Sequence, residues 1–170
     1  DDVLWYIRTM KGRYPHIKIG LIDALLAHED DAEQIYGQLT EHLTRGGQAM
    51  DFVLFDHPYH YGEEAGVTSW ASLRALEVYV RDELGLPTGL FHVRSRGGQE
   101  YEERFHNEVM LSYDRYRAVG GRVDYHVISS WFVHPDTELP EDAVAPRFPL
   151  TKVLRDLGDR VMGANDEPTG

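Results

Sequence analysis

Residues 51–64 read Asp-Phe-Val-Leu-Phe-Asp-His-Pro-Tyr-His-Tyr-Gly-Glu-Glu. An apolar run from Phe52 to Phe55 breaks off into the carboxylate of Asp56, the imidazoles of His57 and His60, the phenols of Tyr59 and Tyr61, and the carboxylates of Glu63 and Glu64. Carboxylates and imidazoles move protons or hold hydroxyl groups, and phenol rings offer stacking surfaces. Few structural needs gather so many polar aromatics into one turn. A short apolar run is the pattern of a buried strand, and parallel α/β proteins place their chemistry at the C-terminal ends of such strands.

The elements that would position this stretch alternate along the chain. Val3, Leu4, Ile7 and Met10 pattern a helix over residues 1–14, with Asp1 and Asp2 favourable at its start and Pro15 as its stop. A strand, Ile17 to Ile22, ends at Asp23. Ile35, Leu39 and Leu43 mark a helix over 31–45, closed by Gly46-Gly47 ahead of the 52–55 strand. Ser69 is a suitable N-cap for a helix from Trp70 to Leu84 striped by Leu73, Leu76, Val80 and Leu84, and Gly85 ends it. The third strand, Gly89 to Val93, leads into Arg94, Ser95 and Arg96, and a long amphipathic helix covers 99–118 before Gly120-Gly121. The fourth strand, Val123 to Ile128, runs into Ser129, Ser130 and Trp131. A proline-punctuated loop over 135–149 precedes a last helix from Thr151 to Met162. The paired glycines recur, but no sequence repeat is evident.

One domain over 1–162 with a frayed tail over 163–170 accounts for this order. Strands alternating with helices at this spacing imply right-handed crossovers and an all-parallel sheet. Two α/β architectures fit: half of a TIM-type (β/α)8 barrel, which the helix-first and helix-last order favours, and a small open doubly wound sheet. A half barrel leaves two strand edges and an unfilled interior, so it calls for the missing N-terminal half or a second copy as a homodimer. The chain opens Asp1-Asp2-Val3 without a starting Met or a signal-like segment, which points to processing or to trimming of a longer chain.

Parallel strands share one C-terminal rim. It would carry Asp23 from the first strand and Asp56, His57, Tyr59, His60 and Tyr61 from the second. His92, Arg94 and Arg96 would come from the third, and Ser130, Trp131 and His134 from the fourth. Such a set suits a carbohydrate, whose ring faces stack on Tyr or Trp and whose hydroxyls donate to Asp and accept from His and Arg. Glycoside hydrolysis needs two carboxylates, for which Asp56 and Asp23 on neighbouring strands are the candidates, with Glu63 and Glu64 as further proton donors. Arg94 and Arg96 leave room for an acidic sugar.

The layout resembles the C-terminal half of (β/α)8-barrel glycoside hydrolases. The residues that carry the resemblance are Lys18-Ile-Gly-Leu-Ile-Asp23, Asp51-Phe-Val-Leu-Phe-Asp-His-Pro-Tyr59, Leu86-Pro-Thr-Gly-Leu90 and Ser129-Ser-Trp131. It implies a Trp131 floor under the sugar and no cofactor. In that family catalytic Glu residues commonly end the fourth and seventh strands. Were these the fifth to eighth strands, the seventh would end His92-Val-Arg94, so a catalytic carboxylate comes from the missing half or hydrolysis is lost.

The competing chemistry is a metal-dependent hydrolase, with His57, His60 and His92 and Asp23 or Asp56 around a divalent ion. A third reading is a non-catalytic piece whose strand edges mediate assembly. Each residue also has a plain structural role open to it: His92 and His126 as sheet-layer histidines, Asp23 as a helix cap, Trp131 as loop packing, and Trp5, Trp70, Tyr113 and Tyr116 as helix packing. The formal charge of −12 argues against nucleic acid or an anionic membrane as partner. The absence of cysteine excludes disulfides and thiol chemistry. No P-loop, GxGxxG or GxSxG pattern is present.

Overall fold

A computed structural model describes residues 2–24, 31–63, 68–94, 102–130, 135, 138, 140–145 and 147–165. Its elements are α1 (Asp2–Arg13), β1 (Gly20–Asp23), α2 (Ala32–Arg45), β2 (Phe52–Asp56), α3 (Tyr59–Glu63), α4 (Trp70–Asp82), β3 (Thr88–Arg94), α5 (Glu102–Ala118), β4 (Tyr125–Ser130) and α6 (Leu150–Asn165). Ser69 caps α4 as its sequence implies, its Oγ accepting from the Ser72 N–H at 3.0 Å. Three differences from the sequence expectation stand out. β4 starts later and takes in Ser129 and Ser130, which pair with Val93 and Arg94. α6 runs on through residues 163–165. Trp5 does not pack; α1 buries only Leu4 and Ile7, leaving the indole 68% exposed.

The four strands form one all-parallel sheet in the order β1-β2-β3-β4. Right-handed crossovers between strands placed in sequence stack their helices on one face, as in a barrel segment; helices on both faces require the order to reverse at a switch point. The packing follows that rule. Val53, Phe55 and Leu90 share a core with Tyr36 of α2, Trp70, Leu73, Leu76 and Val80 of α4, and Tyr116 of α5. Ile128 of β4 packs with Phe105, Val109 and Tyr113 of α5 and with Val153 and Leu157 of α6. Leu21 of β1 lies against Leu4 and Ile7 of α1. All of these strand residues have one parity.

Residues of the other parity line a face that is open along its edge strands, while Leu54 and Val93 on the inner strands are buried. Ile22 is 57% exposed and Tyr125 39% exposed. Phe52, Leu54, Tyr125 and Val127 border a cleft of about 500 Å³, with Lys18, Asp124 and His126 also in its lining. No described helix is long and apolar enough to cross a membrane.

The structure also exposes a repeat. The Asp51 N–H donates to the Ile19 carbonyl (2.8 Å) while the Asp51 carboxylate accepts from the Ile19 N–H (2.8 Å). Asp124 does the same to Thr88, at 2.8 and 2.9 Å. In both places the bracketed residue precedes Gly-Leu (Gly20-Leu21, Gly89-Leu90), and the bracketing Asp precedes an aromatic (Phe52, Tyr125) that pairs with that glycine in register. The paired glycines at the end of α2 and α5 each include one at positive φ, Gly47 at 68° and Gly120 at 84°. The sheet is thus two βαβ units of one design. At Asp51, burial alone would raise the carboxyl, but the Ile19 N–H and the Lys11 ammonium, 2.9 Å away, outweigh it and hold the group below the usual range.

The bracket works only because a glycine lets the strands close. A Cβ on Gly20 would fall 2.2 Å from the Phe52 ring and 2.6 Å from the Phe52 carbonyl oxygen, which the ladder fixes in place. Gly20→Ala is expected to cost about 1–3 kcal/mol in urea unfolding. Gly12→Ala on α1, where an added methyl meets nothing within 4 Å, is expected to gain up to about 1 kcal/mol.

Candidate functional site

Strand parity sorts the rim into two groups. Asp56 pairs with Phe91, and Phe91 with Val127, on the open face. Asp23 pairs with Phe55, whose side chain is buried beneath the helices. The two carboxylates expected to act together therefore lie on opposite faces of the sheet. Asp23 Oδ2 accepts a hydrogen bond from the Tyr36 hydroxyl at 2.8 Å, and burial followed by that bond raises the Tyr36 phenol far above its ordinary value. Asp23 is tied into the β1–α2 packing.

Asp56 is different. It is half-buried, its Oδ1 is shielded from solvent, and among the described residues that atom has no hydrogen-bond partner. Burial pushes its carboxyl pKa upward. An orphaned carboxylate oxygen at the C-terminal end of a strand costs stability and is suited to a proton donor or to a ligand's hydroxyl. On the open face Leu54 precedes it along β2 and Phe91 pairs with it across, and Val93 and Ser129, which pair with each other, continue that face on β3 and β4.

The histidine and tyrosine run after Asp56 folds as a short helix rather than a loop. Pro58 precedes its first residue, and the Tyr61 N–H returns to the Pro58 carbonyl at 2.9 Å. His57 is buried, its Nε2 on the Thr68 carbonyl at 2.8 Å and its ring 4.7 Å from that of Trp70. Tyr59 packs against the core beside Trp70. His60 and Tyr61 are half-buried, with ring centroids 4.4 Å apart. Glu63 accepts from Trp70 Nε1 (3.0 Å) and Arg115 Nε (3.1 Å), fastening α3 to α4 and α5. Much of the cluster that dominates the sequence thus packs α3 against α4 and α5.

His92, buried under the helices, and the half-buried His126, which also reaches the cleft, form a second unit. His92 Nε2 meets His126 Nδ1 at 2.9 Å, the rings stack at 5.1 Å, and His92 Nδ1 meets Ser112 Oγ at 3.2 Å. Burial, then the neighbouring His126, pushes the His92 pKa down to about 3; burial, then Arg117, pushes His126 to about 4. Ser130 pairs in register with Arg94 at the end of this face. Arg96, Trp131, His134 and Glu64 lie outside the described residues, as does the side chain of Arg94.

Both ring nitrogens of His92 and the Nε2 of His57 are engaged by protein atoms, and among the described residues no three His, Asp or Glu side chains converge as a metal would require. The strands bring Asp56, Phe91, Val93 and Ser129 to one rim and leave Asp23, His57, His92 and Ser130 behind it. Phe91, Val93 and Ser129 are the members that the sequence reading left off the rim; strand register and parity with Asp56 are the signal that identifies them. Compared with protein-family models, with curated proteins and with solved structures, the chain finds no match in any of the three.

Proposed function

We propose that this chain is a carbohydrate-active, glycoside hydrolase-like barrel subdomain that binds or cleaves a glycan at the C-terminal rim of its parallel strands. The observation that carries the reading is the Asp56 carboxyl: raised by burial, unpartnered at Oδ1 among the described residues, and set on the open face beside an aromatic ring. A raised carboxyl is the property that a glycosidic proton donor needs, and Phe91 offers an apolar surface to a sugar ring. His60 and Tyr61 on α3 would frame the rim, and Arg96 and Trp131, which follow β3 and β4 in the sequence, are the further candidates for contacts to the glycan.

Glycan-array binding followed by turnover of the best ligand tests this. Asp56→Asn is expected to reduce turnover by 10²-fold or more, as loss of an acid–base group does. The same variant is expected to keep or slightly raise thermal stability at pH 7, because a half-buried carboxylate disfavoured by burial is gone. Unchanged turnover in a folded Asp56→Asn protein would remove Asp56 from its role. No glycan binding across neutral and acidic arrays would remove the reading.

A further inference from the structure

We propose that a second copy of this chain completes an eight-stranded barrel, its β1 adding to this copy's β4 in the register that β3 takes on β2. The inference rests on reading the open face as barrel interior. It starts from the repeat. β1–β2 and β3–β4 carry the same Asp bracket, the same Gly-Leu strand start and the same glycine-facing aromatic. Within the chain, the end of one unit joins the start of the next by Val53↔Thr88, Leu54↔Gly89, Phe55↔Leu90 and Asp56↔Phe91. β4 is the counterpart of β2, and β1 the counterpart of β3. Carrying the internal junction over pairs His126 with Ile19, Val127 with Gly20, Ile128 with Leu21 and Ser129 with Ile22 of the second copy.

Three features fit that junction. Both edges of the sheet run in one direction, so a two-fold axis along the strands satisfies β4 with β1 twice over and leaves no edge unpaired. Four strands per copy make eight, the number whose interior side chains just fill in layers. Gly20 at the β1 edge would sit opposite Val127, as Gly89 sits opposite Leu54, so the close approach already made once is available again. The exposed Ile22 and Tyr125 and the 500 Å³ cleft would become the shared core. The second copy would also bring its own Asp56 to the rim, supplying the partner carboxylate that Asp23, on the far face, does not.

Sedimentation of the chain at micromolar concentration is expected to give a dimer, and Ile22→Asp, at an exposed site of the separate chain, is expected to give a folded monomer by circular dichroism. A native chain that sediments as a monomer, as it would if a different half covers this face, overturns the proposal. The chain has no cysteine, so an Ile22→Cys, Ser129→Cys pair reports register without background. Adjacent paired strands hold their Cα atoms within disulfide range. Oxidation is expected to give a covalent dimer that stops at two copies. Open ladders of higher oligomers, or cross-linking no better than in an Ile22→Cys, Val127→Cys pair, overturn the register. Dimerisation is read with no glycan present and is expected to survive Asp56→Asn, so its failure and failure of the carbohydrate reading are separate results.

Discussion

Glu77→Ala is expected to cost about 3–5 kcal/mol, the loss seen when one partner is removed from a buried ionic network. Glu77 is wholly buried in α4, among the core helices. Its Oε1 takes the guanidinium of Arg74 at 2.7 Å and of Arg81 at 3.0 Å. Its Oε2 accepts the Tyr116 hydroxyl in a short hydrogen bond and the Arg122 N–H at 3.1 Å. Arg81 also donates to the Arg122 carbonyl at 2.7 Å. One carboxylate thus ties α4 to the end of α5 and to the turn entering β4. Removing it leaves the buried Tyr116 hydroxyl and the Arg122 N–H without their acceptor and takes the counter-charge from Arg74 and Arg81. Against a total stability on the order of 5–15 kcal/mol, that is a large fraction. Tyr116→Phe deletes one hydrogen bond and is expected to cost about 1–2 kcal/mol. Urea unfolding midpoints check both, and a Glu77→Ala loss under 1 kcal/mol would mean that water or rearranged arginines satisfy the site.

The sequence made Glu77 easy to pass over, because a carboxylate on an amphipathic helix reads as surface. A signal was there: residues 70, 73, 77, 80 and 84 form one stripe, and Glu77 sits inside it with Arg74 and Arg81 one turn away on either side. The alternation of strand and helix was legible, down to the Ser69 cap, since periodicity and glycine stops are local properties. The face on which each strand-end residue falls was not. Asp23 and Asp56 both close an apolar run, yet register places Asp23 beside Phe55 and not beside Asp56, and a one-residue offset reverses the face. Pairing between strands is set by tertiary structure, so two carboxylates that look equivalent in the sequence have unrelated surroundings. The repeat hid for a similar reason. Its identity resides in a glycine, a leucine, an aspartate and an aromatic per unit, and the hydrogen bonds that unite them link residues some thirty positions apart.

Acid is expected to weaken the fold well before Asp51 and Asp156 titrate. His92 and His126 are held neutral, with pKa values pushed down to about 3 and about 4, while in the unfolded chain each returns toward about 6.5. Above pH 6.5 both states are neutral there and the native packing of the pair is fully realised. As pH falls below 6.5 the unfolded chain takes up protons that the folded chain refuses, so stability drops toward the folded values. His92 alone accounts for about 2 kcal/mol lost by pH 5. Its neighbours give no relief: Ser112 is neutral, His126 carries the same burden, and Arg117 opposes charge on His126. Asp51 and Asp156 lie in a separate window. For Asp156, burial would raise the carboxyl, but Lys152 and His106 outweigh it, so both aspartates sit below the ordinary carboxylate value and lose their contribution only below about pH 4. His92→Gln is expected to lower stability at pH 8 by about 1–2 kcal/mol through the lost contacts, yet to flatten the decline between pH 6.5 and 5. Urea unfolding of wild type and variant across that range checks it. Parallel slopes in the two proteins would show that the pair does not resist protonation and that the buried chain from Ser112 through His92 to His126 opens to solvent in the folded state.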